Sequence, residues 1–302
     1  MVSEDVLYSV CKGIYNMERL SDIGEVKRIL SKHGFTFSKA MGQNFLINPS
    51  VCPRMAEFSG ADSNTGVIEV GPGFGVLTNE LCKVAKKVVS IELDTRLLPV
   101  LEETLAEHDN FRVINEDVMK VDLHKLIEEE FAGMDVVMCA NLPYYITSPI
   151  IMKILEDKLP IKALTVMVQK EAADRLCAQV GTRESGAVTV AVSYYSKAEK
   201  LFSVSRGSFM PAPNVDSAVI KLNVADKPRI DVKDEKLFFK MVKSAFAQRR
   251  KTISNSITSG LSLSKDDFKT ACENADVSPT ARAEALTLEE LGRLADAIYD
   301  IK

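Results

Sequence analysis

The stretch VIEVGPGFGV, residues 67–76, decides the fold of this chain. Its first four residues are mostly apolar and β-branched and predict a buried strand, and Gly71, Gly73 and Gly75 predict a tight turn into a helix. Glycines at such a turn let a ligand approach the backbone, at the place where parallel sheets bind ligands. The G-x-G-x-G spacing differs from the G-x-G-x-x-G of nicotinamide dinucleotide proteins, which argues against that class of cofactor.

Similar short runs follow, separated by stretches with helical spacing. They lie at 88–91, 111–114, 134–139 and 163–168. This alternation predicts a doubly wound α/β fold, in which helices cover both faces of a parallel sheet. Three later runs lie at 187–196, 200–205 and 216–224. With no long helix between them, they predict antiparallel strands that close the sheet.

The pattern becomes wholly helical beyond Pro228. Helical spacing covers about 234–248, 251–259, 265–275 and 287–299. Thr287 and Glu290 are spaced as a capping box at the start of the last stretch. Residues 4–33 are also helical in pattern and are followed by Gly34 as a stop signal. We therefore predict a helical N-terminal extension (1–38), an α/β domain (39–225) and a smaller all-α C-terminal domain (226–302).

The composition is that of an ordinary globular protein. The chain has 302 residues, of which 46% are hydrophobic and 26% charged, and its formal net charge is −4. Six dispersed cysteines without a C-x-x-C pair, and only three histidines, predict reduced thiols and no metal site. The N-terminus lacks the features of a signal peptide, and no run approaches the roughly 18 apolar residues of a membrane span. We therefore expect a cytoplasmic protein that is not anchored to a membrane. We also expect a monomer.

Basic residues are concentrated in one part of the predicted C-terminal domain. They are Lys236, Lys240, Lys243, Arg249, Arg250 and Lys251. The first three recur at helical spacing, and we interpret the set as a surface that contacts RNA phosphates. The alternative is an internal interface, in which Arg249 and Arg250 pair with the acidic C-terminal helices.

Four successive strand ends carry residues suited to one ligand. In chain order they are Gly71, Glu92, Asp117 and Asn141. The carboxyl ends of parallel strands meet at one edge of a sheet, so these residues are expected to face a single crevice. Glu92 lies 21 residues after Gly71, where an acid can accept hydrogen bonds from both hydroxyls of a ribose. Any one of these acids could be a solvated strand end, but the ordered set predicts a binding site.

The tetrapeptide Asn141-Leu142-Pro143-Tyr144 follows the fourth of these strands. An asparagine side-chain oxygen and a neighbouring main-chain carbonyl could accept both hydrogens of an aromatic amine, and a tyrosine could stack on its ring. Such an arrangement would make the amine nucleophilic. The alternative is a simple turn that ends the strand, because Asn and Pro are turn formers on their own account.

The ordered strand ends resemble those of S-adenosylmethionine-dependent methyltransferases, which have a Rossmann-like seven-stranded sheet. In that family the glycine turn, here with Gly71 and Gly73, lies against the methionine part and ribose of the cofactor. The resemblance implies that Glu92 holds the ribose and that Asp117 reaches the adenine. The Asn141 segment then occupies the catalytic position of the amino-methyltransferases.

Further motifs narrow the resemblance to the small-subunit (16S) rRNA adenine N6,N6-dimethyltransferases, from about residue 25 to the end. They are KAMGQNFL (39–46), QKE (169–171), SFMPAP (208–213), VDSA (215–218) and FAQRRKTI (246–253). The resemblance implies that Asn44 and Leu46 close over the cofactor and that Tyr144 and Phe209 sandwich the target adenine. It also implies a substrate, two adjacent adenosines near the 3′ end of 16S rRNA in the immature small ribosomal subunit. For Phe209, the alternative is a core aromatic ahead of a proline-rich turn.

Three other functions share part of these features. A large-subunit rRNA adenine methyltransferase of the macrolide-resistance type has the same cofactor motifs, but VDSA and the QRRKTI run are typical of the small-subunit enzymes. A DNA adenine methyltransferase usually has Pro at the position of Leu142. A ribosome-assembly binding factor with secondary methylation remains a possible function of a different class. No role is predicted for Tyr145.

Overall fold

A computed structural model describes residue 20 and residues 22–35 and 44–301 of the chain. Most of the predicted helical extension (1–38) and the Lys39–Gln43 part of the KAMGQNFL motif lie outside these residues. Within them, a helix at Ile23–Lys32 follows Asp22, whose side chain accepts a hydrogen bond from the Glu25 amide at 2.9 Å. The predicted stop at Gly34 is consistent with its φ of +59°.

Seven strands form one mixed sheet. They are β2 (Thr65–Val70), β3 (Lys87–Glu92), β4 (Phe111–Asn115), β5 (Asp135–Asn141), β6 (Ala163–Gln169), β7 (Ser196–Val204) and β9 (Ser217–Val224). Their order in the sheet is β4-β3-β2-β5-β6-β9-β7. A separate antiparallel pair joins β1 (Phe45–Leu46) to β8 (Phe209–Met210). The five strand runs predicted for the parallel part of the sheet are all strands in the structure.

The register places β2 at the topological centre of the parallel strands. Val67 pairs with Val88 of β3 on one side and with Val137 of β5 on the other. The chain first builds outward from β2 through β3 to β4, and then crosses to the other side of β2 to form β5 and β6. Open α/β sheets bind ligands where the strand order reverses in this way, beyond the carboxyl ends of the strands. In this chain that point lies between β2 and β5.

Twelve helices accompany the strands in the described part of the chain. They are α1 (Ile23–Lys32), α2 (Val51–Ser59), α3 (Val76–Val84), α4 (Leu98–Thr104), α5 (Leu123–Glu130), α6 (Thr147–Glu156), α7 (Lys170–Leu176), α8 (Ala187–Tyr195), α9 (Glu235–Phe246), α10 (Ile253–Leu261), α11 (Lys265–Ala275) and α12 (Leu288–Asp300). The predicted capping box is present, because Thr287 and Glu290 exchange side-chain-to-backbone hydrogen bonds. In the described residues, none of these helices is long and apolar enough to span a membrane.

The prediction of a strand at 187–196 is wrong, because Ala187–Tyr195 is helix α8. The run AVTVAVSYY has apolar residues on every face of a helix and on both faces of a strand, so it shows neither periodicity. Its β-branched residues favoured a strand. Six of its nine residues are buried, which suits a helix that is covered all round. The Gly186 amide donates to the Thr189 hydroxyl at 2.9 Å, and this bond satisfies a donor at the start of the helix.

The chain divides into two compact units. The first contains the described residues up to Lys170 together with Lys200–Lys221, and the second contains Glu171–Glu199 and Leu222–Lys302. The chain passes for the last time from the first unit to the second between residues 221 and 222, near the boundary predicted at 225. Residues 171–199, however, cluster with the C-terminal helices instead of with the α/β domain. The contacts of α8 explain this, since the Tyr195 hydroxyl donates to Glu235 Oε1 at 2.8 Å and its ring stacks on Phe239.

An aromatic cluster in the first unit covers the turn after β2. The rings of Phe45 and Phe74 stack with their centroids 3.9 Å apart, and Phe35 meets both rings edge-on. Buried aromatic pairs of this kind contribute about 0.5–1.5 kcal/mol beyond their burial. The Arg96 guanidinium lies 4.8 Å from the centre of the Phe35 ring. The cluster therefore joins the segment after α1, strand β1 and the glycine turn.

Candidate active site

A cavity of about 370 Å³ lies at the carboxyl ends of β2, β3, β4 and β5, in the first unit. It is lined by the predicted residues Asn44, Leu46, Gly71, Gly73, Glu92, Asp117, Asn141, Leu142, Pro143 and Tyr144. The structure thus brings together every residue predicted for the cofactor and the target base except Phe209. The volume falls in the range of pockets that hold a small organic ligand.

The glycine turn that follows strand β2 lines the cavity. Gly71, Gly73 and Gly75 have φ of +69°, +60° and +84°, a region that side chains other than glycine rarely adopt. A Cβ on Gly73 would also lie 3.1 Å from the Phe45 ring. The Gly71 amide donates to the carbonyl oxygen of Ile91 in β3 at 3.0 Å. The turn is therefore fixed to the neighbouring strand and leaves its inner face open to a ligand.

Glu92 is held in place at the end of β3. Its Oε1 accepts a hydrogen bond from the Asp94 amide at 2.7 Å, and the side chain is buried. Burial raises the pKa of Glu92 to about 7, although the Asp94 and Gly73 amides oppose the shift by donating to the carboxylate. The cavity therefore contains a carboxylate whose charge changes near neutral pH.

Glu69 is a second carboxylate on the cavity wall, and the sequence reasoning missed it. It is 1% exposed, and its Oε2 accepts hydrogen bonds from the hydroxyls of Thr78 (2.7 Å) and Ser90 (2.6 Å). Burial raises the pKa of Glu69 to about 7, the two hydroxyls lower it, and the charge of Glu92 raises it. An acid inside an otherwise apolar strand was the signal in the sequence. Glu69 links β2, β3 and α3 directly behind the glycine turn.

Asp117 lies beyond the end of β4 and is partly buried. Its Oδ1 accepts from the Met119 amide at 3.0 Å, which leaves the carboxylate at the cavity wall. Asn115, at the end of the same strand, donates to the carbonyl oxygen of Glu92 at 2.8 Å. The ends of β3 and β4 are therefore joined, and their two acids border one space.

The Asn141–Tyr144 loop has defined hydrogen-bond partners. The Leu142 amide donates to the Met167 carbonyl at 3.2 Å, and the Pro143 carbonyl accepts from the Ile146 amide at 3.1 Å. The Tyr144 hydroxyl lies 2.6 Å from the Ser217 hydroxyl. Among the described residues, the Asn141 side chain has no hydrogen-bond partner. Its amide is thus available to a ligand at the switch point.

Phe209 is the one predicted cofactor or base-contact residue that does not line the cavity. Its ring is 3% exposed and packs in the apolar cluster that also contains Leu46 and Met55. It pairs with Leu46 across the β1–β8 ladder and is not among the described residues that line the cavity. Leu46 lines the cavity and Phe209 lies beside it in the same cluster, so the contact of Phe209 with the target base stays a prediction.

The six predicted RNA-binding residues are all exposed, and all lie in the second unit. Lys236, Lys240 and Lys243 share a face of α9 because their spacing of four and three residues matches the helical repeat. Arg249 donates through Nη2 to the carbonyl oxygens of Arg183 (2.6 Å) and Ser185 (3.4 Å). Arg249 therefore contacts this loop through main-chain acceptors. Among the described residues it has no ion pair with an acidic side chain, as the alternative prediction requires.

The cysteines and the possible metal ligands of the described residues form no metal site. Cys52, Cys82, Cys139 and Cys272 are free thiols, and burial raises the pKa of Cys52 and Cys139 well above the usual value. No group of three or more His, Cys, Asp or Glu side chains in this part of the chain could hold a metal ion.

Sequence comparisons identify one protein family. The model of the family described as "Ribosomal RNA adenine dimethylase" matches residues 34–300. The chain is 47% identical over 282 residues to the ribosomal RNA small subunit methyltransferase A of Geobacillus sp. (strain WCH70), covering 92% of this chain and 97% of that protein. It is 45% identical over 286 residues to the protein of the same name from Bacillus mycoides (strain KBAB4), covering 93% and 98%.

Solved structures agree with the fold. The 23S rRNA methyltransferase ErmE has a TM-score of 0.65 and 28% identity, with 85% of this chain and 100% of that chain covered. A dimethyladenosine transferase from Plasmodium falciparum has a TM-score of 0.67 and 26% identity, with 83% and 95% covered. The predicted α/β methyltransferase fold is confirmed. With a family match across nearly its whole described length, the chain belongs to the ribosomal RNA adenine dimethylase family.

Proposed function

We propose that this chain transfers methyl groups from S-adenosylmethionine to N6 of two adjacent adenosines in a loop near the 3′ end of 16S rRNA. The product is N6,N6-dimethyladenosine, formed in the immature small ribosomal subunit. The observation that carries the proposal is the single cavity at the switch point, where the Asn141–Tyr144 loop meets the glycine turn, Glu92 and Asp117. The names of the relatives at 45–47% identity support the small subunit as the source of the RNA.

The chemistry of the cavity fits S-adenosylmethionine. Glu92 and Asp117 are acceptors for ribose hydroxyls and for an adenine amino group, and the glycine turn permits close approach of the methionine part. Asn44 and Leu46 would close the cavity beside Phe45 and Phe74. The carboxylates of Glu69 and Glu92 favour a cationic ligand. S-adenosylmethionine supplies an activated methyl group on a positively charged sulfur.

The Asn141 loop would orient the target base. The Asn141 side-chain oxygen and the Leu142 carbonyl oxygen would accept hydrogen bonds from the two N6 hydrogens. These bonds would turn the nitrogen lone pair out of conjugation with the ring. Tyr144 stacks on the base and is held by Ser217. Phe209 would form the other side of the stack only if it left the apolar cluster in which it packs. The protein's contribution is therefore positioning and electrostatics.

The exposed basic residues of the second unit would bind the RNA backbone. Lys236, Lys240 and Lys243 on α9, with Arg250 and Lys251 after it, carry charges that attract phosphates whatever the base sequence. Arg249 would contribute mainly by holding the loop at Arg183. We further propose that the chain acts as a monomer in the cytoplasm, where immature subunits are found.

The experiment that tests this function supplies isotopically labelled S-adenosylmethionine to four possible substrates. These are unmethylated small subunits, mature small subunits, large subunits and DNA, and the labelled base is mapped in each. Label on adenosine N6 of the unmethylated small subunit alone is expected. Label confined to the large subunit would support the second candidate, to which the likeness to the 23S rRNA methyltransferase points.

An Asn141→Ala protein serves as the matched control for catalysis. Removal of one of the two acceptors is expected to lower transfer by roughly 100- to 1,000-fold, the usual effect of losing one preorganised polar contact. Binding of RNA should stay nearly unchanged, because Asn141 lies at the cavity and not among the six exposed cations. Equal loss of binding and transfer would contradict the assigned roles. Normal subunit maturation with this variant would indicate an assembly factor whose methylation is secondary.

A further inference from the structure

Tyr145 is the most exposed of the large apolar or aromatic side chains in the described part of the chain, at 61%. It also lines the cavity, directly after Tyr144. Its neighbours in sequence are partly or wholly buried, so exposure is a property of this side chain and not of the whole loop. In the described residues the Tyr145 ring packs against no other aromatic ring. The size of the Tyr145 side chain is therefore not explained by packing against other aromatic rings.

The turn that carries Tyr145 is fixed on both sides. The Pro143 carbonyl accepts hydrogen bonds from the Ile146 amide (3.1 Å) and the Thr147 hydroxyl (3.2 Å). Tyr144 is held by its hydroxyl contact with Ser217. The backbone of Tyr145 thus has little freedom, and its ring is presented at the rim from a preorganised support. Preorganisation lowers the entropy lost when a ligand packs on such a ring.

An RNA substrate must place a second nucleotide at this rim. When one adenosine lies in the cavity beside Asn141, its neighbours are tied to it by single phosphodiester links and cannot move far away. The cavity of about 370 Å³ must already hold the methyl donor and one base, so a neighbouring base has to remain outside. An aromatic ring next to an unstacked base is the usual means by which proteins hold single-stranded RNA.

We propose that Tyr145 stacks on the nucleotide adjacent to the adenosine being methylated and so positions the RNA strand at the rim of the cavity. The inference rests on the proposed function and extends it, because it adds a contact outside the target base. Tyr145 is then a positioning residue that selects for a stackable neighbour. In a substrate with two adjacent target adenosines, each adenosine can serve as that neighbour for the other.

The test is a double-mutant cycle between the protein and the RNA. Wild-type, Tyr145→Ala and Tyr145→Phe proteins are compared, with Tyr299→Ala as a control because Tyr299 is also exposed (48%) but lies in the second unit. Unmethylated small subunits carry either the natural nucleotides or an abasic site on the 5′ or the 3′ side of one target adenosine, introduced by ligation of a synthetic 3′ segment. Initial rates give kcat/KM for transfer to that adenosine, and calorimetry gives the affinity for S-adenosylmethionine.

With natural RNA, Tyr145→Ala is expected to lower kcat/KM by roughly 5- to 100-fold, the range of a lost base–aromatic stack. Tyr145→Phe and Tyr299→Ala should behave as wild type, and cofactor affinity should not change. An abasic site on one side should lower the wild-type rate by a similar factor and have no further effect on Tyr145→Ala.

The inference would be overturned if the losses in kcat/KM from Tyr145→Ala and from the abasic site multiplied, whether the abasic site is on the 5′ or the 3′ side. A Tyr145→Ala protein with full activity would also overturn it. These outcomes leave the proposed function intact, because wild-type transfer to adenosine is measured in the same series. Absence of transfer by the wild-type protein to the natural subunit would instead reject the proposed function, and the inference with it.

Discussion

The Tyr144 hydroxyl lies 2.6 Å from the Ser217 hydroxyl, so strand β9 fixes the orientation of a ring in the loop after β5. Ser217 is fully buried and Tyr144 is partly buried. Burial raises the pKa of Tyr144, and the Ser217 hydroxyl opposes that shift. The contact is neutral and directional at neutral pH. It links the proposed base-stacking residue to a strand that is distant in sequence.

Removal of this contact should affect catalysis more than cofactor binding. Ser217→Ala leaves the Tyr144 hydroxyl without its partner, which typically costs about 1–3 kcal/mol. We expect a lower rate of methyl transfer, of the order of a few-fold to tenfold, and unchanged affinity for S-adenosylmethionine. Tyr144→Phe removes the other hydroxyl, so the double variant should be no worse than the poorer single variant. Additive losses in kcat would show that the two hydroxyls act separately.

Cofactor affinity should depend on pH through the two cavity carboxylates. Burial is the main reason that the pKa values of Glu69 and Glu92 are raised to about 7. A cationic ligand prefers the ionised carboxylates, which predominate only above this pH. We expect S-adenosylmethionine to bind more tightly at pH 8 than at pH 6, since about a tenth of each group is ionised at the lower pH. The gain should be roughly 10-fold if one ionised carboxylate is required and roughly 100-fold if both are required. Isothermal titration calorimetry at the two pH values would measure the difference, and equal affinities would contradict a role for the carboxylates.

The stability of the protein without ligand should change with pH in the opposite direction. The pKa of Glu69 is higher in the folded state than in the unfolded chain, so its contribution is fully present below about pH 4.5 and is lost as pH rises through about 7. Glu69→Gln keeps an oxygen that can accept from Thr78 and Ser90 but cannot ionise. We expect its free energy of unfolding to exceed that of wild type by an amount that grows, on the order of 3 kcal/mol, between pH 5 and pH 8.

Urea denaturation at both pH values provides the measurement. Lys162→Ala is a suitable control because Lys162 pairs with Asp135 on an exposed part of the same unit, where screening by water makes the contribution small. A difference between Glu69→Gln and wild type that does not vary with pH would mean that Glu69 remains ionised, or remains protonated, over the whole range.

The glycine turn and the acids at the strand ends could be predicted from sequence because local residue types determine them. Positive φ at Gly71 requires glycine, and a buried parallel strand requires an apolar run. The order of the strand ends then follows from the α/β alternation. Gly71, Glu92, Asp117 and Asn141 line one cavity for this reason. Asn44 and Leu46, which also line it, were predicted only from the resemblance to a known family.

The remaining features depend on contacts that no local pattern determines. Helix α8 was predicted as a strand because an all-apolar run has no period, and only its burial among the C-terminal helices decides between the two. The contact of Phe209 with the target base stays a prediction, and its burial in the cluster with Leu46 could not be read from the sequence. Glu69 was overlooked since its hydroxyl partners Thr78 and Ser90 lie on two other elements. In each example the deciding partner is remote in sequence.

The lysines on α9 should govern the salt dependence of RNA binding. Combined replacement of Lys236, Lys240 and Lys243 by Ala removes three exposed cations from one helix face. If each contacts one phosphate of a single strand, the slope of log K against log salt should become shallower by roughly 2, about 0.7 per contact. Filter binding or anisotropy with an rRNA fragment over a range of salt concentrations would measure it. Lys265→Ala, an exposed lysine at the start of α11, should leave the slope unchanged, and a triple variant with the wild-type slope would exclude this face from the interface.

Arg249 and Arg250 are adjacent and both exposed, yet their replacement should have different effects. Arg249 donates to the carbonyl oxygens of Arg183 and Ser185, so Arg249→Ala should lower the free energy of unfolding by about 1–3 kcal/mol as well as weaken RNA binding. Arg250→Ala should weaken RNA binding with a change in stability of less than about 0.5 kcal/mol. Thermal denaturation and RNA titration of both variants would separate the two roles. If Arg249→Ala proved as stable as wild type, the loop contact would be incidental, and both arginines would act on the RNA alone.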